Sequence, residues 1–273
     1  MVIGLERNYR GLSLELQLRQ LGYEVMRVDA IDGNTFEADI SEIYNRDKAR
    51  FFMHRELSNG EVAISLSHEK ALEAFLKTDY RFCVILEDDA VLNAPKNCPM
   101  EKILEAIESD FTILQLHIPN YSVYSRLLIN NSSNPVLLKV PYAPRTTSSY
   151  ALSRRTAQFI LDRSEKVYSV ADWPIWSLEL KWFMFNYNFF ATDNTEKRRS
   201  TLEDDRSKVK LNFGPRRFIR LACATFGLRL FKAKSFGFSA RHIYLYEVVR
   251  PIREKFFQRK RINLFLRTKE KVY

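Results

Sequence analysis

The sequence predicts an α/β fold with a mostly parallel, helix-covered sheet, and three observations carry that expectation. Short apolar strand candidates alternate with helical stretches, at the spacing that builds parallel sheets. Ser58-Asn59-Gly60-Glu61 has the pattern of a capping box, in which serine hydroxyl and glutamate carboxylate satisfy free amides and start a helix. The stretch Arg81 to Leu92, RFCVILEDDAVL, is an apolar run that ends abruptly in Glu87, Asp88 and Asp89. That is the pattern of a buried strand opening onto an acidic turn.

In chain order, Val2 to Leu5 is a short apolar strand and Tyr23 to Val28 a second, closed by the turn Asp29-Ala30-Ile31-Asp32-Gly33. Between them, Leu12, Leu14, Leu16 and Leu18 alternate like a strand, whereas Leu14, Leu18 and Leu21 fit one face of a helix. The Glu, Gln and Arg content favours the helix, giving β-α-β. Asp39 to His54 reads as a loop with a short helix. The capping-box helix runs to about Lys77, followed by a strand Phe82 to Leu86, a helix near Glu101 to Glu108 and a strand Phe111 to His117. Val136 to Val140 and Ser148 to Ser153 are further strands, and Arg154 to Lys166 is a helix. Asp172-Trp173-Pro174 breaks the pattern before an aromatic-rich stretch from Trp176 to Phe190. Thr192 to Ser207 is a charged loop, and helix-like spacing returns beyond it.

With 273 residues and 46% apolar content, the chain has ample material for a core. Cys83, Cys98 and Cys223 are too few and too scattered for a disulfide framework or a zinc site, which suits a reducing compartment. No secretory signal and no membrane span is expected, since the most apolar candidate, Phe218 to Phe231, contains Arg220 and Arg229. The net charge of +10 is unevenly spread: residues 206–273 carry 19 Lys and Arg against 3 acids, while the rest carries 24 against 30. The expected organisation is therefore a mildly acidic body over residues 1–205 and a basic, aromatic-rich helical segment over 206–273. Such a segment suits a polyanionic partner.

Acids at the carboxyl end of a strand lie where open α/β sheets meet their ligands. Carboxylate oxygens suit Mg²⁺ or Mn²⁺, which hold substrate phosphates through only one or two protein acids. The turn therefore reads as a metal-diphosphate site, with Glu87 and Asp89 alternating onto one side and Asp88 onto the other. Asp89 is the expected direct ligand and Glu87 its assistant. Glu203, Asp204 and Asp205 form a second acidic triplet, but no apolar strand precedes it.

An ordered series of motifs resembles glycosyltransferase family 25, the lipopolysaccharide and lipooligosaccharide glycosyltransferases. The matches are VIGLERNYR at Val2 to Arg10, DAIDG at Asp29 to Gly33, LSNGEVAISLSH at Leu57 to His68, VILEDD at Val84 to Asp89, and YALSRRTAQFIL at Tyr150 to Leu161. The resemblance implies a GT-A-like fold and inverting transfer of galactose, or secondarily glucose, from a UDP-sugar. It also implies that the EDD turn is a DXD-type motif holding Mn²⁺ or Mg²⁺.

Under that resemblance Leu5, Arg7 and Arg10, around and past the first strand, face the donor, with the arginines paired to its phosphates or decorating a helix start. Asp32 and Gly33 hold the ribose or form a turn. Glu61 and His68, seven apart on one helix, brace the acidic turn or the donor, or serve as a cap and a packing histidine. Asp88 bonds ribose or backbone. Asp172, in a segment that reads VADWP where the family often has Pro-Val-Asp, is the candidate general base. The expected acceptor is the lipopolysaccharide core. Residues 206–273 would dock on anionic lipid, placing the protein peripherally on the cytoplasmic face of the bacterial inner membrane. Nucleic acid is the rival polyanion, but no nucleic-acid motif accompanies the charge. A metal-dependent nucleotidyltransferase and a carbohydrate-binding scaffold with a degenerate transferase fold are the competing functions.

Overall fold

The computed structural model describes residues 1–53, 55–93, 111–118, 137–140, 143, 146–171, 173–174, 177 and 179–192. Its strands are β1 (Val2–Gly4), β2 (Arg27–Asp29), β3 (Phe82–Glu87), β4 (Ala90–Leu92), β5 (Thr112–Gln115), β6 (Leu137–Val140), β7 (Ser149–Ser153), β8 (Lys181–Phe185) and β9 (Phe190–Thr192). Its α-helices are α1 (Leu12–Gln20), α2 (Arg46–Phe52), α3 (Asn59–Leu76) and α4 (Arg154–Leu161). The expected helix near Glu101 to Glu108, the charged loop beyond Thr192 and the basic segment 206–273 lie outside the described residues, as does Asp172.

Seven strands form one sheet in the order β2-β1-β3-β7-β5-β8-β6, and β4 pairs with β9 in a separate ribbon. Five of the seven run in one direction, and β7 and β6 are reversed. The sheet is therefore largely parallel in direction but mixed in its pairings. The reversal of β7 matters for function, because it brings the start of that strand beside the carboxyl end of β3.

Alternation along the strands assigns the two faces. Ile3, Ile85, Ile113, Tyr150 and Leu152 pack with Ala71, Leu72 and Phe75 of α3 and with Ala157 and Ile160 of α4. Their neighbours Val2, Leu86, Leu114 and Ala151 point the other way, onto Leu14 and Leu18 of α1 and onto Phe185, Phe189 and Phe190. Leu14 and Leu18 settle the ambiguous leucine stretch as a helix. Leu21, the expected third member of that face, is 57% exposed, because the helix has ended at Gln20. A smaller cluster joins α2 to Val62, Val167 and Tyr168.

α3 begins as its sequence requires. The Ser58 hydroxyl accepts the Glu61 amide at 3.2 Å, and Glu61 accepts the Ser58 amide at 3.1 Å. β2 is shorter and later than expected, covering Arg27–Asp29, with the Met26 carbonyl just ahead of it accepting the Val2 amide at 2.9 Å. Helix α4 stops at Leu161, short of Lys166.

Leu114 is fully buried, and Leu16 of α1 is 61% exposed. We expect Leu114→Ala to lower unfolding stability by about 2–5 kcal/mol, as large-to-small core changes do. Leu16→Ala should move it by less than about 0.5 kcal/mol. Urea midpoints of the two variants check this.

Candidate active site

The parallel strands β1, β2 and β3 all deliver their carboxyl ends to one edge, and that edge carries the motifs. β3 stays in the sheet through Glu87, which pairs with Ile3 of β1 and whose amide donates to the Ser148 carbonyl at 2.9 Å. Asp88 and Asp89 then form the turn into β4. The strand ends at Glu87, so the turn separates the three acids.

Asp88 turns toward β1. Its two oxygens accept the Arg10 backbone amide and the Arg10 guanidinium, each at 3.1 Å. This approach demands glycine at the end of β1: a Cβ on Gly4 would lie 2.5 Å from the Tyr9 ring and 2.7 Å from Asp88 Oδ2. The Arg10 guanidinium also reaches Asp89 Oδ2, at 4.0 Å.

Asp89 is the perturbed acid. Its side chain keeps 26% exposure, yet Oδ1 is sealed from solvent with no hydrogen-bond partner. Burial first, and then the charge of Glu87, push its carboxyl up to about 7, against the opposing pull of Arg10. Glu87 is better served. Thr147, just before β7, donates its hydroxyl to Oε1 at 3.2 Å, and His68 Nε2 stands 3.5 Å from the same oxygen.

His68 reaches Glu87 from the middle of α3, its other ring nitrogen 3.1 Å from the Tyr150 hydroxyl. Burial raises the Tyr150 hydroxyl well above its ordinary range, so that it stays protonated. A proton donated by Tyr150 to Nδ1 leaves Nε2–H directed at Glu87. His117, just past β5, is a second buried imidazole. Its Nδ1 donates to the Phe190 carbonyl at 2.9 Å, and burial lowers its pKa although the charge of Glu87 opposes the shift.

The other sequence candidates divide. Leu5 is half-buried at the start of the 3₁₀ turn Glu6–Asn8. Arg7 pairs with Asp32 at 2.8 Å, tying the loop after β1 to the loop after β2, where Asp32 also caps the turn Gly33–Thr35. Gly33 serves close approach instead of a left-handed turn, because a Cβ there would lie 2.6 Å from the Asn59 backbone. Glu61, 1% exposed, adds to its capping box a two-pronged ion pair with Arg55 at 2.5 and 2.6 Å. Its carboxylate is thereby fully occupied in holding the start of α3.

Sequence reasoning passed over Gly4, Thr147, His117 and Glu69. Glu69 left a signal, since Ser65, Glu69 and Leu72 follow a helical period and place a carboxylate on a face that meets other protein. These three, with His68, Thr147, Tyr150 and Trp173, line a partly open pocket of about 70 Å³ beside the acidic edge.

Among the described residues no group of three or more His, Cys, Asp and Glu forms a metal cage. Glu87 and Asp89 nevertheless fit a hard divalent ion that takes most of its oxygens from phosphate and water. The orphaned Oδ1 of Asp89 is the observation that favours it.

The raised Asp89 carboxyl fixes a sign. Between its ordinary value of 3.8 and about 7, the folded protein holds a proton that the unfolded chain has released. Stability without divalent ion therefore falls as pH rises through that window. We expect Asp89→Asn in EDTA to match the native chain near the bottom of the window. Above its top the variant should be more stable by on the order of 2 kcal/mol. Chemical denaturation across pH measures the difference.

No curated protein matches the chain. A family model described as glycosyltransferase family 25 (LPS biosynthesis protein) matches residues 1–175, which include β1, α3, the acidic turn, β7 and α4. With more than half its length matched, including the loops that meet at this edge, the chain belongs to glycosyltransferase family 25, the glycosyltransferases of lipopolysaccharide biosynthesis.

Proposed function

We propose that this glycosyltransferase moves a hexose, galactose in preference to glucose, from a UDP-sugar to a hydroxyl of the lipopolysaccharide core, with inversion at the anomeric carbon. The observation that carries the proposal is the unpartnered buried oxygen of Asp89 beside Glu87, at the carboxyl edge of β3. Two carboxylates so placed repel each other unless a cation joins them. When bound there, Mn²⁺ or Mg²⁺ would neutralise the diphosphate as the glycosidic bond breaks.

The chain's own residues have separable tasks in this reading. Asp89 and Glu87 hold the ion. Asp88 spends its charge on Arg10, so that the turn is held open while the guanidinium, one-third exposed, is available to the donor phosphates. Arg7 and Asp32 fix the two loops that would flank the nucleoside. Thr147 holds Glu87 from the β7 side by a hydrogen bond, and His68 Nε2 stands 3.5 Å away on the α3 side without one. Asp172 remains our proposed general base, taking the acceptor hydroxyl proton opposite the leaving diphosphate. Its neighbours Ala171 and Trp173 line the pocket beside the acidic edge.

The mixed sheet, with acids ending a parallel strand, supports a GT-A-like fold. Docking of residues 206–273 on anionic lipid at the inner face of the inner membrane is supported by their charge of +16. Among the described residues no helix is long and apolar enough to cross a membrane.

Asp89→Ala should lower kcat for hexose transfer by at least about a hundredfold, the scale of losing one group aimed at developing charge. Glu87→Gln should lower it less, and both variants should stay folded. Steady-state transfer from UDP-galactose and UDP-glucose in Mn²⁺, with the product anomer read by NMR, tests all parts together. Full activity of Asp89→Ala would remove the acidic turn from the mechanism.

A further inference from the structure

The pocket beside the acidic edge holds a carboxylate that nothing above employs. Glu69 of α3 is half-buried, and among the described residues no cation pairs with it. Burial raises its pKa most, Glu73 adds to the shift, and the Ser164 hydroxyl opposes it. Arg163, which lines the same pocket, and Lys48 are engaged elsewhere. Arg163 stacks 3.5 Å over the Phe159 ring and pairs with Glu179 at 2.9 Å, and Lys48 is paired with Glu165. A partly buried acid without a cation is a poor structural element, since an apolar or neutral residue there would avoid its desolvation cost. It suits a ligand rich in hydroxyl donors.

Aromatic rings also line the pocket. Trp173 sits at φ 63°, a left-handed backbone that a bulky residue adopts only at a cost of about 1–3 kcal/mol. Its indole N–H donates to the Thr146 carbonyl at 2.9 Å, and Tyr150 and Trp182 meet it edge-on at 5.0 and 4.6 Å. Aromatic edges and a carboxylate lining one pocket suit a sugar substituent, whose C–H groups pack while its hydroxyl bonds. The volume of about 70 Å³ holds roughly two waters, which is room for a hydroxymethyl arm and not for a whole ring.

Position identifies which sugar. Arg7, Asp32, Arg10 and Asp88 lie on the β2–β1 side of β3, and the pocket lies on the β7 side. His68 and Thr147 belong to the pocket wall and both touch Glu87, so the pocket ends one side chain from the acidic turn.

We propose that this pocket is an acceptor subsite, which receives the exocyclic hydroxymethyl arm of an acceptor sugar and bonds its hydroxyl to Glu69. The inference rests on the glycosyltransfer reading. Its test uses simple glycosides: saturation-transfer NMR and competition titration of methyl β-galactopyranoside, against methyl β-fucopyranoside, which lacks that hydroxyl. The native protein should bind the galactoside with the exocyclic protons most saturated, and the fucoside about tenfold more weakly. Glu69→Gln should weaken the galactoside about tenfold, and Glu69→Asp, which keeps charge but shortens reach, should fall between. Neither variant should alter UDP-galactose binding or lower the melting temperature. Equal binding of the two glycosides, unchanged affinity in the folded variants, or no glycoside binding by the native protein would overturn the proposal. Glycoside binding that depends on Glu69, without any UDP-sugar binding, would instead sink the transferase reading and leave the subsite standing.

Discussion

Two carboxylates, Glu87 and Asp89, are held together at the end of a buried strand with too little positive charge of the chain's own to neutralise both. Arg10 satisfies Asp88 through two hydrogen bonds and reaches Asp89 only at 4.0 Å. Burial, and after it the charge of Glu87, raise the Asp89 carboxyl to about 7. The surrounding structure maintains this arrangement. Gly4 leaves space for Asp88, Thr147 donates to Glu87, and the reversal of β7 brings Thr147 to the same edge as β3. This charge arrangement is what supports our proposal of a cation that arrives with its own anionic ligand.

The α3 helix connects the parts. Its first turn is fixed by the capping box and by Arg55, and its backbone there meets Gly33. Farther along, Ser67 accepts the Ile31 amide at 2.8 Å and Lys70 donates to the Asp29 carbonyl at 2.6 Å, which anchors the loop after β2. His68 on the same helix reaches Glu87, and Glu69 lines the neighbouring pocket. One helix therefore sets the positions of the proposed donor loop, metal turn and acceptor subsite. Displacing its N-terminus would disturb all three.

Much of this was legible in the sequence because the signals were local. An apolar run ending in acids fixes a strand and its turn, and Ser58 with Glu61 fixes a helix start. Tertiary relations were less accessible. The direction of β7 depends on the path of the chain before it, and no residue of SYALS encodes it. Gly33 read as holding the ribose or permitting a left-handed turn, and only the position of Asn59 shows that it serves close approach. The strand ends at Glu87, so the expected alternation does not reach Asp88, and its partner Arg10 is 78 residues distant, where spacing alone could not supply it. Glu69 was obscured by its place beside His68, which carries the family motif.

The central claim is that Glu87 and Asp89 form half of a metal site that nucleotide diphosphate completes. The direct test is calorimetric titration of Mn²⁺ into the native protein, alone and then saturated with UDP. The account predicts weak Mn²⁺ binding alone and strong binding with UDP, with UDP affinity lost in EDTA by the same factor, as linkage requires. Tight Mn²⁺ binding without nucleotide, or UDP affinity unchanged by EDTA, would contradict it.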